Sequence, residues 1–179
     1  MSAPTNQHAI YTIGHSTRTI EEFIEILRDG KVQCVVDVRT IPRSRTNPQY
    51  NLDVLPETLS HWQIQHTIIK ALGGRRSRQR EVEPDVNAFW NNQSFHNYAD
   101  YALSDEFRIG IEELERLATN MRCAIMCSEA VWWRCHRRII SDYLLTRGWE
   151  VFHLMGHRRV EPAKLTAGAQ TQDAWITYP

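Results

Sequence analysis

No apolar run in the 179 residues approaches the roughly 20 that a membrane-crossing helix needs. The polar start, Met1 to His8, lacks the apolar stretch of a secretory leader. Both absences predict a cytoplasmic protein with no membrane partner. Net charge is missing as well, since 21 Lys+Arg balance 21 Asp+Glu. That excludes a uniformly basic coat for nucleic acid and leaves room for a local patch. Cysteine is scarce, with Cys34, Cys123, Cys127 and Cys135 alone. Four do not make the dense disulfide framework of a small secreted domain, so reduced thiols are expected. Neither GxxxxGK[ST] nor GxGxxG occurs, which removes support for the common nucleotide-binding loops. Lysine is nearly absent: Lys31, Lys70 and Lys164 leave arginine to fill the other basic positions.

The composition that remains, 42% hydrophobic and 23% charged, is that of an ordinary globular chain. Its length suits one domain over residues 1–179 with a sizeable core. Ala9 to Ile13 is a β-rich run stopped by Gly14. Thr19 with Glu22 forms a capping box, and Ile20, Phe23, Ile24 and Leu27 make one helical face that ends at Gly30. Cys34 to Val38 is apolar except for Asp37, as in a parallel strand buried on both faces. Asp53 is expected to cap a short helix through His61, and Gln65 to Ile69 reads as a third strand. Phe89 to Tyr101 carries a helical turn or two. Ser104 caps a longer helix with Phe107, Ile111, Leu114 and Ala118 on one stripe. Cys123 to Cys127 is a fourth strand, Cys135 to Arg147 a helix ended by Gly148, Glu150 to Leu154 a fifth strand, and Ala174 to Tyr178 a short strand in the tail. Strands alternating with helices predict an α/β single domain of three layers, a mostly parallel sheet with helices on both faces.

The chemistry-bearing side chains follow the strands. His15 and Ser16 follow the first. Asp37 and Arg39 end the second, with Arg43 and Arg45 beyond it. Gly73, Gly74 and Arg75 follow the third. Cys127 and Glu129 end the fourth, and Trp133, Arg134, Cys135, His136 and Arg137 lead into the next helix. In open parallel sheets these strand ends line the ligand crevice. Cys127, near a helix start and arginines, is expected to ionise readily, to be partly accessible and to be more reactive than Cys34 or Cys123. Glu129 and His136 are candidate acid, base or orienting groups. Cys34 and Cys123 lie in apolar runs and read as core. Trp133 beside Arg134 offers a stacking platform for a base. No cofactor is required by this reading. An alternative makes Cys127, Cys135 and His136 ligands of zinc or iron, although adjacent residues on one helix point about 100° apart.

Taken together, Tyr11-Thr-Ile-Gly-His-Ser16, Asp37-Val-Arg39 with Pro42-Arg-Ser-Arg45, Leu72-Gly-Gly74, Tyr98-Ala-Asp-Tyr101, Met126-Cys-Ser-Glu-Ala130 and Trp132-Trp-Arg-Cys-His-Arg-Arg138 resemble the bacterial and archaeal family catalogued as domain of unknown function 488. The resemblance extends over nearly the whole chain, to Ile176-Thr-Tyr-Pro179. It implies a small single-domain α/β protein. Members are sometimes labelled DNA repair proteins, which points toward nucleic acid. Relatives often carry a histidine just before the Leu165-Thr166 pair, where this chain has Ala163 and Lys164.

The leading expectation is an enzyme with Cys127, Glu129, Cys135, His136 and Arg137 as its catalytic group. Its substrate would bear phosphate, as a small molecule or a nucleic acid. His15, Ser16, Asp37, Arg39, Arg43, Arg45, Gly73, Gly74, Arg75, Trp133 and Arg134 would bind it. The second reading is a binding module for nucleic acid or a transition metal, without catalysis. A third is purely structural, with Asp37 paired to an arginine.

Overall fold

The structure is a computed structural model and describes residues 8–179. Five strands run parallel: β1 (Ala9–Gly14), β2 (Cys34–Asp37), β3 (Gln65–Ile68), β4 (Cys123–Cys127) and β5 (Glu150–Gly156). β6 (Arg159–Pro162) returns antiparallel to β5, so the order across the sheet is β3-β2-β4-β1-β5-β6. The sequence pattern did not reveal β6, whose residues are mostly exposed and carry no apolar alternation. The tail strand exists as β8 (Trp175–Thr177), but it pairs with β7 (Gln170–Gln172) in a separate ribbon.

Side-chain alternation along the strands explains the layers. Val35, Ala124 and Met126 face one side, with Ile13 and Leu154. There they meet α1 (Ile20–Asp29), through Phe23, Ile24, Ile26 and Leu27, and α2 (Leu55–Ser60), through Leu55 and Leu59. Cys34, Val36, Cys123, Ile125 and Cys127 face the other side. They pack on α3 (Gln93–Tyr101), α4 (Asp105–Asn120) and α5 (Arg137–Thr146). The result is a three-layer α/β arrangement around a mostly parallel sheet. Each large aliphatic or aromatic side chain removed from water contributes about 1.5–3 kcal/mol, so both helical layers are held by apolar burial.

Local signals set most helix ends. The Thr19 hydroxyl accepts from the Glu22 N–H at 3.2 Å, Asn92 caps α3, and the Ser104 hydroxyl accepts from the Phe107 N–H at 3.2 Å. Asp53 is not a cap: α2 begins after Val54, with Pro56 in its first turn and no side-chain cap. The last helix also starts later than its apolar pattern indicates. Trp132–Arg134 form a 3-10 turn, Cys135 is extended, and α5 begins at Arg137.

Strand order fixes where a site can form. The chain leaves β2 toward β3 and leaves β4 toward β5, in opposite directions from adjacent strands. Such a switch point opens a crevice beyond the strands' carboxyl ends. Asp37 ends β2 there, fully buried. Arg39 doubles back on it, with Nε 2.9 Å from Oδ1 and Nη2 2.7 Å from Oδ2, while His66 Nε2 lies 3.2 Å from Oδ2. Burial pushes the Asp37 carboxyl up, but His66 and Arg39 overcome that and hold it below the usual carboxylate range. Removing one partner of a buried pair strands the other, at about 3–5 kcal/mol. Urea unfolding of Asp37→Ala is therefore expected to show a loss of that size. Arg43→Ala, at a 3.9 Å pair between side chains 73% and 65% exposed, is expected to stay within about 0.5 kcal/mol of the parent.

Candidate functional site

A cavity of about 610 Å³ opens at the switch point. Its lining includes Cys127, Ser128 and Glu129 after β4, Cys135 and His136 before α5, and Arg39 and Thr40 after β2. Gly74, Arg75 and Arg76 come from the loop after β3, Phe95 from α3, and Arg134 from the turn. A neighbouring hollow shares Arg39, Ile41, Arg75, Ser128 and Glu129 with it and adds His15, Ser16, Arg43 and Asn47. The sequence-predicted groups from four strand ends thus meet along one two-lobed crevice.

Close backbone contacts build its floor. The His15 N–H donates to the Cys127 carbonyl and the Ser16 N–H to the Ser128 carbonyl, each at 2.9 Å. These bonds zip the end of β1 to the loop after β4. Gly14 lies so near the Glu129 carbonyl that a Cβ there would overlap it. Ser16 sits at φ 48, a region costly for a side-chain-bearing residue. Its amide bond to Ser128 and the His15 Nδ1–H bond to its carbonyl, 2.8 Å, hold it there.

Arg137 organises the loop from beneath. It is 1% exposed. Its Nη2 donates to the Glu129 carbonyl at 2.6 Å, its Nη1 to Thr12 Oγ1 at 3.3 Å and its Nε to Cys135 Sγ at 3.2 Å. The Arg137 amide also points at that sulfur, 3.4 Å away. Burial would raise the Cys135 thiol, but a hydrogen bond from Cys127 and the Arg137 charge and N–H groups reverse this and bring it down to about 6. Cys127 is its counterpart. Sharing that hydrogen bond with Cys135, together with burial, pushes the Cys127 thiol up to about 12. The expectation that Cys127 ionises readily is not supported by its surroundings: Arg137 lies on Cys135, and Cys127, 8% exposed, has its thiol pushed up.

His136 completes the group. Its Nε2 lies 2.9 Å from the Val38 carbonyl oxygen. A carbonyl can only accept, so Nε2 carries the hydrogen and Nδ1 of the neutral ring presents a lone pair. Nδ1 lies 3.5 Å from Cys135 Sγ, and Gly74 lies so close to the ring that a Cβ would overlap it. The three donor atoms of Cys127, Cys135 and His136 lie within 4.8 Å of one another. The 100° objection to adjacent ligands does not apply. Cys135 is extended, at φ −128 and ψ 148, and His136 is helical, at φ −58 and ψ −16. The change of backbone between them turns both donors to one point.

Other expected site residues lie elsewhere. Asp37 is beneath Arg39 rather than in the crevice. Gly73 is buried against Thr40. Arg45 and Trp133 are exposed and line neither lobe. Trp132, the other member of the pair, stacks on buried His153 with centroids 4.6 Å apart. Arg76 lines the crevice but is committed to structure. It donates to the Gly73 and Lys70 carbonyls and lies over the Tyr101 ring at 3.8 Å. Phe95 and Thr40 were not foreseen; Thr40 directly follows Arg39, and Phe95 lies on α3 away from any strand end. Cys34 and Cys123 are fully packed core residues opposite one another on β2 and β4.

The chain is a member of the family described as Domain of unknown function DUF488, whose model matches residues 19–144. No curated protein and no solved structure gives a match. Among the described residues no helix is long and apolar enough to cross a membrane.

Two buried imidazoles tie this region to pH. Burial first, then the Arg39 and Arg137 charges, hold His15 down to about 4 against the Ser16 carbonyl bond. Burial and Arg137 hold His153 down to about 3. Both take a proton in the unfolded chain, near pH 6.5, before they do in the folded one. Their contribution is fully present above pH 6.5 and shrinks as the pH falls toward 4. Urea midpoints are expected to drop between pH 7.5 and 5. His153→Gln is expected to flatten that slope, whatever it does to the midpoint at pH 7.5.

Proposed function

We propose that this protein is an enzyme that takes a phosphate-bearing substrate into the two-lobed crevice, with a nucleotide or a nucleic-acid end as the preferred class. The observation that carries the reading is the pairing of a Cys127, Cys135 and His136 floor with Arg39, Arg75, Arg76 and Arg134 on the cavity wall. Guanidinium forks suit phosphate oxygens by charge-assisted, often bidentate hydrogen bonds. Arg75 and Arg134 are exposed there, and no ion pair engages either among the described residues. Arg43, in the second lobe, extends the basic lining to a second phosphate. Phe95 gives the main lobe an aromatic wall, suited to a base or another flat apolar group. Glu129, exposed and lining both lobes, is the group available for proton transfer. Arg137 acts as a positioning residue through Cys135 and the Glu129 carbonyl.

Binding of nucleoside monophosphates, dinucleotides and short single-stranded oligonucleotides over a salt series tests the reading. Arg75→Ala with Arg134→Ala is expected to weaken binding and to reduce the salt slope for an oligonucleotide by roughly one unit per lost contact. Arg45→Ala, outside the crevice, is expected to change neither. Arg76 and Arg78 are poor test positions: Arg76 clamps backbone carbonyls, and Arg78 lines a separate hollow with Arg80 and Glu83. Absence of binding by the parent protein to every one of these ligands at low salt would overturn the proposal.

A further inference from the structure

We infer that Cys127, Cys135 and His136 form a zinc site of the open type, three protein ligands with the remaining coordination position facing the crevice. The donor set is soft and borderline, two sulfurs and an imidazole nitrogen, which suits zinc and not magnesium or calcium. All three donor atoms fall within 4.8 Å of one another. That spacing fits a common centre, since Zn–S and Zn–N bonds of about 2.3 and 2.0–2.1 Å place neighbouring donors of a tetrahedron about 3.5–4 Å apart.

The surroundings are those of a ligand set and not of simple packing. The His136 Nε2–H bond to the Val38 carbonyl, 2.9 Å, orients the ring and frees Nδ1, the arrangement that metal-binding histidines use. Two N–H groups of Arg137 donate to Cys135 Sγ, as outer partners of a ligating thiolate do. Glycine at position 74 makes room for the ring. A core packing role for His136 would require none of these.

The open position follows from what is missing around the trio and what faces it. Among the described residues no fourth His, Cys, Asp or Glu joins the group. Glu129 and His15, which line the crevice, are not part of it. All three donors belong to residues that line the 610 Å³ cavity, together with Arg39, Arg75 and Arg134. Structural zinc sites close with four protein ligands, whereas catalytic ones keep a place for water or substrate. Two thiolates neutralise the dication, so the surrounding arginines remain available to an anion. On the reading given above, one phosphate oxygen would take the open place while the arginines hold the others.

Cobalt substitution tests this without any assay of turnover. Apo protein titrated with Co2+ is expected to bind one equivalent. It should develop a sulfur-to-cobalt charge-transfer band of two-thiolate intensity and the strong visible bands of four-coordination. Zinc should displace the cobalt. Cys127→Ser, Cys135→Ser and His136→Gln should each weaken zinc binding by more than the roughly 10–100-fold that loss of an outer partner costs. Cys34→Ala and Cys123→Ala should leave the spectrum intact, with folding of every variant checked by circular dichroism. The spectrum of the parent protein counts the thiolates even where a variant fails to fold. Azide should shift the visible bands by entering the open position, and inorganic phosphate or a nucleoside monophosphate should do the same.

No stoichiometric binding, or a spectrum lacking thiolate charge transfer, would overturn the zinc site. Bands that azide leaves unmoved would overturn its openness. Bands that azide moves but phosphate and nucleotide do not would leave the metal site standing and count against the proposed substrate. Nucleotide binding by a protein that takes up no cobalt would do the reverse.

Discussion

A guanidinium sealed inside the protein, with no carboxylate beside it among the described residues, is the constraint on which the site depends. Arg137 is that group, and an uncompensated buried charge is prohibitively costly. Its neighbours are a carbonyl, a hydroxyl and the sulfur of Cys135. Of these only the sulfur can supply a negative charge. Arg137 accordingly draws the Cys135 thiol down, and the same bonds draw the Glu129 carbonyl and Thr12 of β1 toward one point. Loop, strand and thiol are positioned together.

The charge arrangement around that point has two tiers. Beneath the crevice, Asp37 pairs with Arg39, and the Cys135 sulfur accepts from Arg137. Such pairs contribute little net stability but break expensively, which makes them better at fixing geometry than at strengthening the fold. At the surface, Arg75 and Arg134 have no such partner among the described residues. Arginines of identical chemistry thus divide into those that build the floor and those left exposed on the crevice wall, and the division is made by burial and by partners. Arg76, pinned by two carbonyls and a tyrosine ring, belongs with the first kind despite lying next to Arg75.

Strand order converts this local chemistry into a site. β4 lies between β2 and β1, so the Cys127 end is flanked by Asp37 and Arg39 on one side and by Gly14 and His15 on the other. Gly14 matters because the loop after β4 passes directly over it. The crossing connections then bring the Gly74 loop onto His136 from the far edge. Segments separated by more than a hundred residues meet within a few ångströms.

Much of this was written in the sequence. Short apolar runs alternating with amphipathic helices specify parallel strands buried on both faces, and Thr19 and Ser104 mark helix starts by chemistry that acts over three residues. The crowding of Cys, His, Arg and Gly at strand ends likewise follows from local order along the chain. Three things did not. The edge strand β6 is exposed and polar, and nothing in Arg159 to Pro162 distinguishes it from a loop until β5 lies beside it. The start of α5 depends on the Arg137 amide meeting the Cys135 sulfur, an interaction invisible to periodicity, and it moves Cys135 and His136 off the helix so that their donors converge. The choice between the two thiols depends on Arg137, ten residues from one and two from the other, and on which sulfur its buried side chain can reach. Local chemistry along the chain determined the elements and the residue types of the site. Only tertiary packing decided which thiol lies on Arg137 and which arginines stay exposed on the crevice wall, because both are set by burial and by partners that the chain order does not bring together.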